Sequence, residues 1–177
     1  MTYLPNSNLE KPPRREWTLE DEANQASCNI LNNIIPGDSN KSYDMRIVIE
    51  TILDRSDFFE IHPDYAKNIV VGYGHIHGRV VGIVGNQPNV LAGCLDIDAS
   101  IKAARFIRTC DSFGIPIVTL EDVPGFLPGT DQEYGGIIKH GAKLLYAYAE
   151  CTTPRITIIT RKGYGGSFDV MSCKQLK

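Results

Sequence analysis

Near the carboxyl end, the run RKGYGGSFDV at residues 161–170 sets Gly165 and Gly166 after an apolar, strand-like segment and before a helix-like one. A turn without side chains at a helix start bares backbone N–H groups, with the positive end of the helix dipole behind them. Such a site stabilises a developing oxyanion and needs no acidic or basic residue. A second pair, Gly135 and Gly136, stands immediately before IIKHGAKLLYAYAE. Tight turns use glycine everywhere, so either pair alone also reads as a plain turn. Two pairs after successive strands favour backbone chemistry.

Other residues compete for a chemical role. Ser167 follows the glycines and invites a nucleophile reading, with His140 on the preceding helix as its base. The nucleophile-elbow pattern G-x-S-x-G is absent, however, because Asp169 stands where the last glycine belongs. His75 and His77 alternate along a strand and so share a face, yet no Cys, Asp or Glu at ligand spacing completes a metal set. The expectation is no metal, with an exposed hairpin tip in its place. Asp96 and Asp98 resemble an acid pair, and Asp98 has a sufficient role as a helix N-cap. GYGHIHG lacks dinucleotide-loop spacing, and GFLPGTD lacks the Lys-Ser/Thr end of a phosphate loop. The prolines and glycines of the latter fix a stiff excursion, within a loop of about 15 residues that is long enough to be functional.

These candidates depend on the elements that carry them. Residues 1–42 are rich in Asn, Pro, Ser and charge, as in PNSNLEKPPRR, and read as a linker or arm. The domain proper runs over 43–177. Met45, Val48, Ile49, Ile52 and Leu53 recur at helical spacing. NIVVGYGHI and GRVVGIVGN form a hairpin turning near His77 and Gly78. A helix opened by Asp98 follows and buries Ile101, Ala104, Ile107 and Cys110 before Gly114 ends it. Then come a buried strand at 115–120, the loop 121–136, the helix 137–150, an apolar strand at 155–160 and a further helix start. That order implies an α/β fold with a parallel βαβ crossover. It places both glycine pairs at the carboxyl edge of the sheet, where open α/β folds hold ligands.

Composition bounds the rest. A chain of 177 residues with 42% hydrophobic content supports one ordinary core. A net charge of −3 gives no electrostatic footprint for nucleic acid. No 18-residue apolar run exists for membrane insertion, and the N-terminus lacks the apolar centre of a signal peptide. Cys28, Cys94, Cys110, Cys151 and Cys173 are scattered, without a C-x-x-C, as expected of reduced, mostly buried thiols in a cytosolic-type compartment.

Taken together, FFEIHPDYAKNIVVGYGHIHGRVVGIVGNQP and AGCLDIDASIKAARFIRTCDSFGIPIVTLEDVPGFLPGTDQEYGGIIKHGAKLLYAYAECTTPRITIITRKGYGGSFDVMS closely resemble the carboxyltransferase (β) subunits of biotin-dependent acyl-CoA carboxylases. The resemblance is to the propionyl-CoA carboxylase beta and methylmalonyl-CoA decarboxylase alpha type and runs over nearly the whole chain, YLPNSN included. It implies a crotonase-like (ClpP/crotonase) α/β fold, with this chain as the linker plus an incomplete carboxyl-terminal carboxyltransferase domain. The implied reaction moves CO2 from N1-carboxybiotin, carried on a partner domain, to the α-carbon of a short acyl-CoA, or runs in reverse. The resemblance assigns the biotin ureido oxygen to the backbone N–H groups of Gly166 and Ser167. It places Gly135, Gly136, Tyr164, Gly165, Phe168 and Asp169 around the substrates. It further implies biotin carboxylase and biotin carboxyl carrier partners, a homo-hexamer, and a cytoplasmic location or, in a eukaryote, the mitochondrial matrix. Gly163, Ser167 and Phe168 depart from the Ala, Ala and Tyr usual there. A crotonase-fold thioester hydrolase using Ser167 and a non-catalytic truncated chain remain as alternatives.

Overall fold

A computed structural model describes residues 3–18 and 30–176, so Cys28 and parts of the 1–42 arm lie outside the described residues. After a short helix α1 (Leu31–Ile34), helix α2 (Met45–Ile52) begins where the Asp44 carboxylate accepts the Arg46 N–H at 2.9 Å. Its 3.6-residue spacing puts Met45, Val48 and Ile49 on one buried face.

A five-stranded sheet follows in simple sequence order. β1 (Phe59–Glu60), β2 (Ile69–Ile76) and β3 (Arg79–Asn86) pair antiparallel, and β4 (Ile117–Val123) and β5 (Arg155–Gly163) then add in parallel. The hairpin turns at His77 and Gly78, both at positive φ. Buried Asp54 holds this turn, accepting the N–H groups of His77 at 3.1 Å and Gly78 at 2.8 Å. Helix α3 (Ile97–Ser112) carries the chain from β3 to β4, and helix α5 (Ile137–Glu150) carries it from β4 to β5. Both parallel steps are therefore βαβ crossovers, as the element order implies.

The sheet is covered on both faces. Val70, Val81, Ile83, Val118 and Leu120 pack under α2, whereas Ile69, Val84 and Ile117 pack with Ala103, Ile107, Leu144 and Tyr148 of α3 and α5. Burial on both faces is why the central strands read as continuous apolar runs. The segment 3–18 lies along the hairpin. Tyr3 stacks on Phe59 at 5.8 Å, Arg14 bridges to Arg79, and Trp17 stacks on His77 at 4.3 Å.

Four expectations need correction. The cap of α3 is Asp96, whose extended backbone lets its carboxylate accept the Ala99 N–H at 2.8 Å. Asp98 sits inside the first turn and accepts the Tyr65 hydroxyl instead. β4 runs on through Glu121 and Asp122 to Val123, and 130–135 is helical, so only 124–129 remains irregular. Helix α4 (Thr130–Gly135) is favoured by Asp131 and Glu133 in its first turn and ends at left-handed Gly136. Gly135–Gly136 thus joins two helices and does not follow a strand directly. Finally, His75 is buried beside Tyr3, while His77 leaves the strand at φ 50°, so the two rings share no face.

Candidate functional site

The carboxyl end of β5 carries the Gly165–Gly166 turn, and β4 sets its position. The pairing shifts between Glu121 and Val123: Glu121 faces Ile159, but Val123 faces Gly163. β5 therefore bulges outward by two residues, a device that re-aims a chain beside a site. Asp122 clamps the bulge. Its carboxylate, wholly buried, meets the Arg161 guanidinium at 3.0 Å and accepts the Lys162 N–H at 3.1 Å. The Thr160 hydroxyl donates to the Glu121 carbonyl, and the Tyr164 N–H reaches the Val123 carbonyl at 3.3 Å.

Helix α6 (Gly165–Val170) then starts from Tyr164 without a side-chain cap. Its first intrahelical bond is Phe168 N–H to the Tyr164 carbonyl. The N–H groups of Gly166 and Ser167 have no backbone acceptor among the described residues. Gly165 is at φ 59°, and a Cβ there would meet nothing within 4 Å, so the turn is open on its outer side. Tyr164, Gly165, Gly166 and Asp169 are exposed, Phe168 is half-buried, and Ser167 is buried.

The Ser167 hydroxyl points elsewhere. It donates to the Tyr164 carbonyl at 2.7 Å, a local bond that helps to hold the helix start. His140 pairs through Nδ1 with Lys143, and neighbouring lysine charge helps burial lower its pKa. No hydrogen bond joins His140 to Ser167, so the structure does not assemble the nucleophile–base pair. Nor does any group of three or more His, Cys, Asp or Glu among the described residues form a metal cluster.

Three residues that sequence reasoning passed over shape this region. Phe126, from the stiff 124–129 excursion, wedges its ring between α5 and α6. A Cβ on Gly141 would come 2.8 Å from that ring, and one on Gly166 would lie 3.9 Å from it. The excursion itself is pinned by Leu95, whose N–H donates to the Gly125 carbonyl while its own carbonyl accepts the Leu127 N–H at 2.7 Å. The second residue is Gly141, whose missing side chain admits the ring. The third is Glu121, fully buried at the end of β4, with neither carboxylate oxygen hydrogen-bonded. Burial, reinforced by the charge of Asp169, pushes its pKa up to about 8. A Cβ on Gly163 would come within 3.0 Å of its Oε1, which accounts for glycine at that position. At Gly135 a Cβ would strike Ile97 at 2.6 Å, so that glycine serves helix packing.

Among the described residues the cysteines are free, with Cys110, Cys151 and Cys173 buried and Cys94 half-buried; burial raises the Cys94 and Cys110 thiols. No helix there is long and apolar enough to cross a membrane.

Comparison with known proteins places this geometry in context. The family pattern described as "Carboxyl transferase domain" matches residues 1–177. The chain is 59% identical over 174 residues to the mitochondrial propionyl-CoA carboxylase beta chain of Sus scrofa, covering 98% of this chain and 32% of that one. It is 52% identical over 176 residues to methylmalonyl-CoA decarboxylase subunit alpha of Propionigenium modestum, covering 99% and 34% respectively. Among solved structures, the transcarboxylase 12S hexamer with hydrolysed methylmalonyl-coenzyme A superposes with a TM-score of 0.92 at 50% identity, over 99% of this chain and 34% of that one. The beta subunit of P. aeruginosa geranyl-CoA carboxylase gives 0.79 at 28% identity, over 99% and 32%. The chain spans about a third of the length of the curated relatives it matches.

Proposed function

The chain belongs to the carboxyl transferase domain family and has its crotonase-like α/β fold, and from that premise we propose that it serves carboxyl transfer between carboxybiotin and the α-carbon of a short acyl-CoA, propionyl-CoA first. The reverse decarboxylation uses the same parts. In this reading residues 1–42 are the linker from a preceding half and 43–177 the carboxyl-terminal carboxyltransferase domain. Biotin carboxylase and biotin carboxyl carrier subunits supply the carboxylated cofactor, and copies of the chain associate as in the transcarboxylase 12S hexamer. The enzyme works in the cytoplasm or, in a eukaryote, in the mitochondrial matrix.

The observation that carries the reading is the open turn with two unpaired N–H groups, on Gly166 and Ser167. Biotin, when bound, supplies the carboxyl group, and its ureido oxygen gains negative charge as that group leaves. The two N–H donors and the start of α6 bind that oxygen where charge develops. In this reading Tyr164, Gly165, Phe168 and Asp169 contact the substrates from this turn, with Asp169 towards the acyl group, and Gly135 and Gly136 contribute from the start of α5. The Ser167 hydroxyl holds the turn's shape through Tyr164.

The test grafts this sequence in place of the matching third of the Sus scrofa beta chain, with assembly checked by sedimentation. Ser167→Pro deletes one N–H donor at a first-turn position that tolerates proline. It should cost about 10²–10³ in carboxyl-transfer rate. Ser167→Ala keeps the donor and loses only the bond to Tyr164, worth about 1 kcal/mol, so its rate should fall by no more than about fivefold. An alanine variant that is folded yet dead would point to a nucleophilic serine. An assembled graft without any transfer would overturn the proposed function.

A further inference from the structure

Glu121 is the group near the turn that the proposed chemistry leaves unused. It lies on the same face of β4 as Thr119, whose hydroxyl pairs with Tyr148 of α5, and it is fully shielded from solvent. Its Oε1 fills the space that a side chain on Gly163 would need, and the Phe168 ring approaches that same space to 3.2 Å. Gly163 and Phe168 flank the turn at 164–167, so the carboxyl sits beneath the turn and between its two supports. The groups facing it come from three elements. From α6, Asp169 presents a negative charge. From α5, Tyr148 presents a phenol that burial keeps neutral and that pairs with Thr119 at 2.8 Å. From β5, Gly163 presents no charge at all.

A buried carboxyl with no hydrogen-bond partner and an acidic neighbour takes up its proton in place of its charge. That matters to a turn whose proposed work is to attract an oxyanion. A second negative charge beneath the N–H donors opposes the charge they are meant to hold, and a carboxylate as buried as Glu121 is weakly screened.

We propose that Glu121 is a positioning residue for the Gly166–Ser167 turn: its uncharged carboxyl supports the turn through Gly163 and Phe168, and its ionisation weakens oxyanion binding there. The inference rests on the proposed carboxyl transfer, and it adds an alkaline limit to that reaction set by this chain and not by the cofactor. Proton balance is simple. Below the transition Glu121 keeps its proton; above it the proton passes to solvent and the carboxylate stays buried.

Two measurements test it. In the 177-residue chain, carbon-13 NMR of Glu121, assigned by its loss in Glu121→Gln, should show a carboxyl titrating near 8. Titration in the ordinary range near 4.5 would overturn the proposal. In the grafted enzyme, the ratio of transfer rate at pH 9 to that at pH 7 should fall about tenfold, as for loss of one required proton. In Glu121→Gln that ratio should stay near one, and Glu121→Leu serves as a second neutral variant should the amide disturb folding. A purely structural Glu121 would change stability in these variants but leave the ratio as in the wild type, and that result sinks the inference while transfer itself stands. A graft that assembles but transfers nothing defeats the proposed function, and with it the catalytic part of this inference, whatever the NMR shows.

Discussion

At the scale of single residues, Glu121 also makes the fold itself sensitive to pH. Its carboxyl keeps a proton in the folded chain up to about pH 8, whereas the unfolded chain releases it near 4.5. Between those values the folded state binds more protons, so stability falls as pH rises. The slope from this one group is at most about 1.4 kcal/mol per pH unit. Glu121→Gln should flatten the decline and be the more stable protein at pH 8. Urea midpoints measured at pH 5, 6, 7 and 8 check this, and parallel curves for the two proteins would refute it. Nothing in the sequence pointed to Glu121. It stands beside Asp122 in TLEDV, and two adjacent acids read as the start of a loop. Only the pairing of β4 with β5 shows that Asp122 meets Arg161 while Glu121 turns to the opposite, apolar face. The turn at Gly165 was legible because paired glycines mark a backbone that needs positive φ, and Gly165 is at 59°. The capping role went to Asp96 and not Asp98, a choice between two equally suitable side chains that local backbone geometry decides.

At the scale of elements, the wedge of Phe126 couples the excursion 124–129 to both helices of the site. Gly141→Ala would place a methyl 2.8 Å from the ring. Overpacking of this kind typically costs 1–3 kcal/mol, so the melting temperature should drop although alanine is the better helix former. Adding Phe126→Leu, which shortens the wedge, should recover part of that loss, because contacting residues are energetically coupled. If the two changes simply add, the ring does not seat on Gly141. Helix α5 was readable to both of its ends, since a clear 3.6-residue pattern follows a glycine and stops before Thr-Thr-Pro. The six-residue helix α4 was not, because it is too short to show a period and its composition matches that of a turn. The bulge in β5 left no sequence signal; it arises from a mismatch between two strands that are distant along the chain.

At the scale of the whole molecule, the apolar surface is unevenly covered. Ile156 and Ile158 continue the face of Val118 and Leu120 beyond the reach of α2 and remain 61% and 45% exposed. Ile138 and Tyr146 on α5 are exposed too. Such surface favours association. Sedimentation should find the 177-residue chain self-associating at micromolar concentration, and Ile156→Lys with Ile158→Lys should shift it towards monomer; an unchanged distribution would assign association to the α5 face instead. The α/β class and the crossovers followed from element order alone, whereas the exposed edge did not, because an apolar strand reads the same whether or not something covers it. The two edges of the sheet also differ in kind. At one, β1 offers only two residues with Tyr3 laid across Phe59. At the other, β5 offers nine. If copies of the sheet join edge to edge, β5 must meet β5 across a two-fold axis. That contact consumes both long edges at once, so sheet extension closes at a dimer and cannot propagate into a fibre.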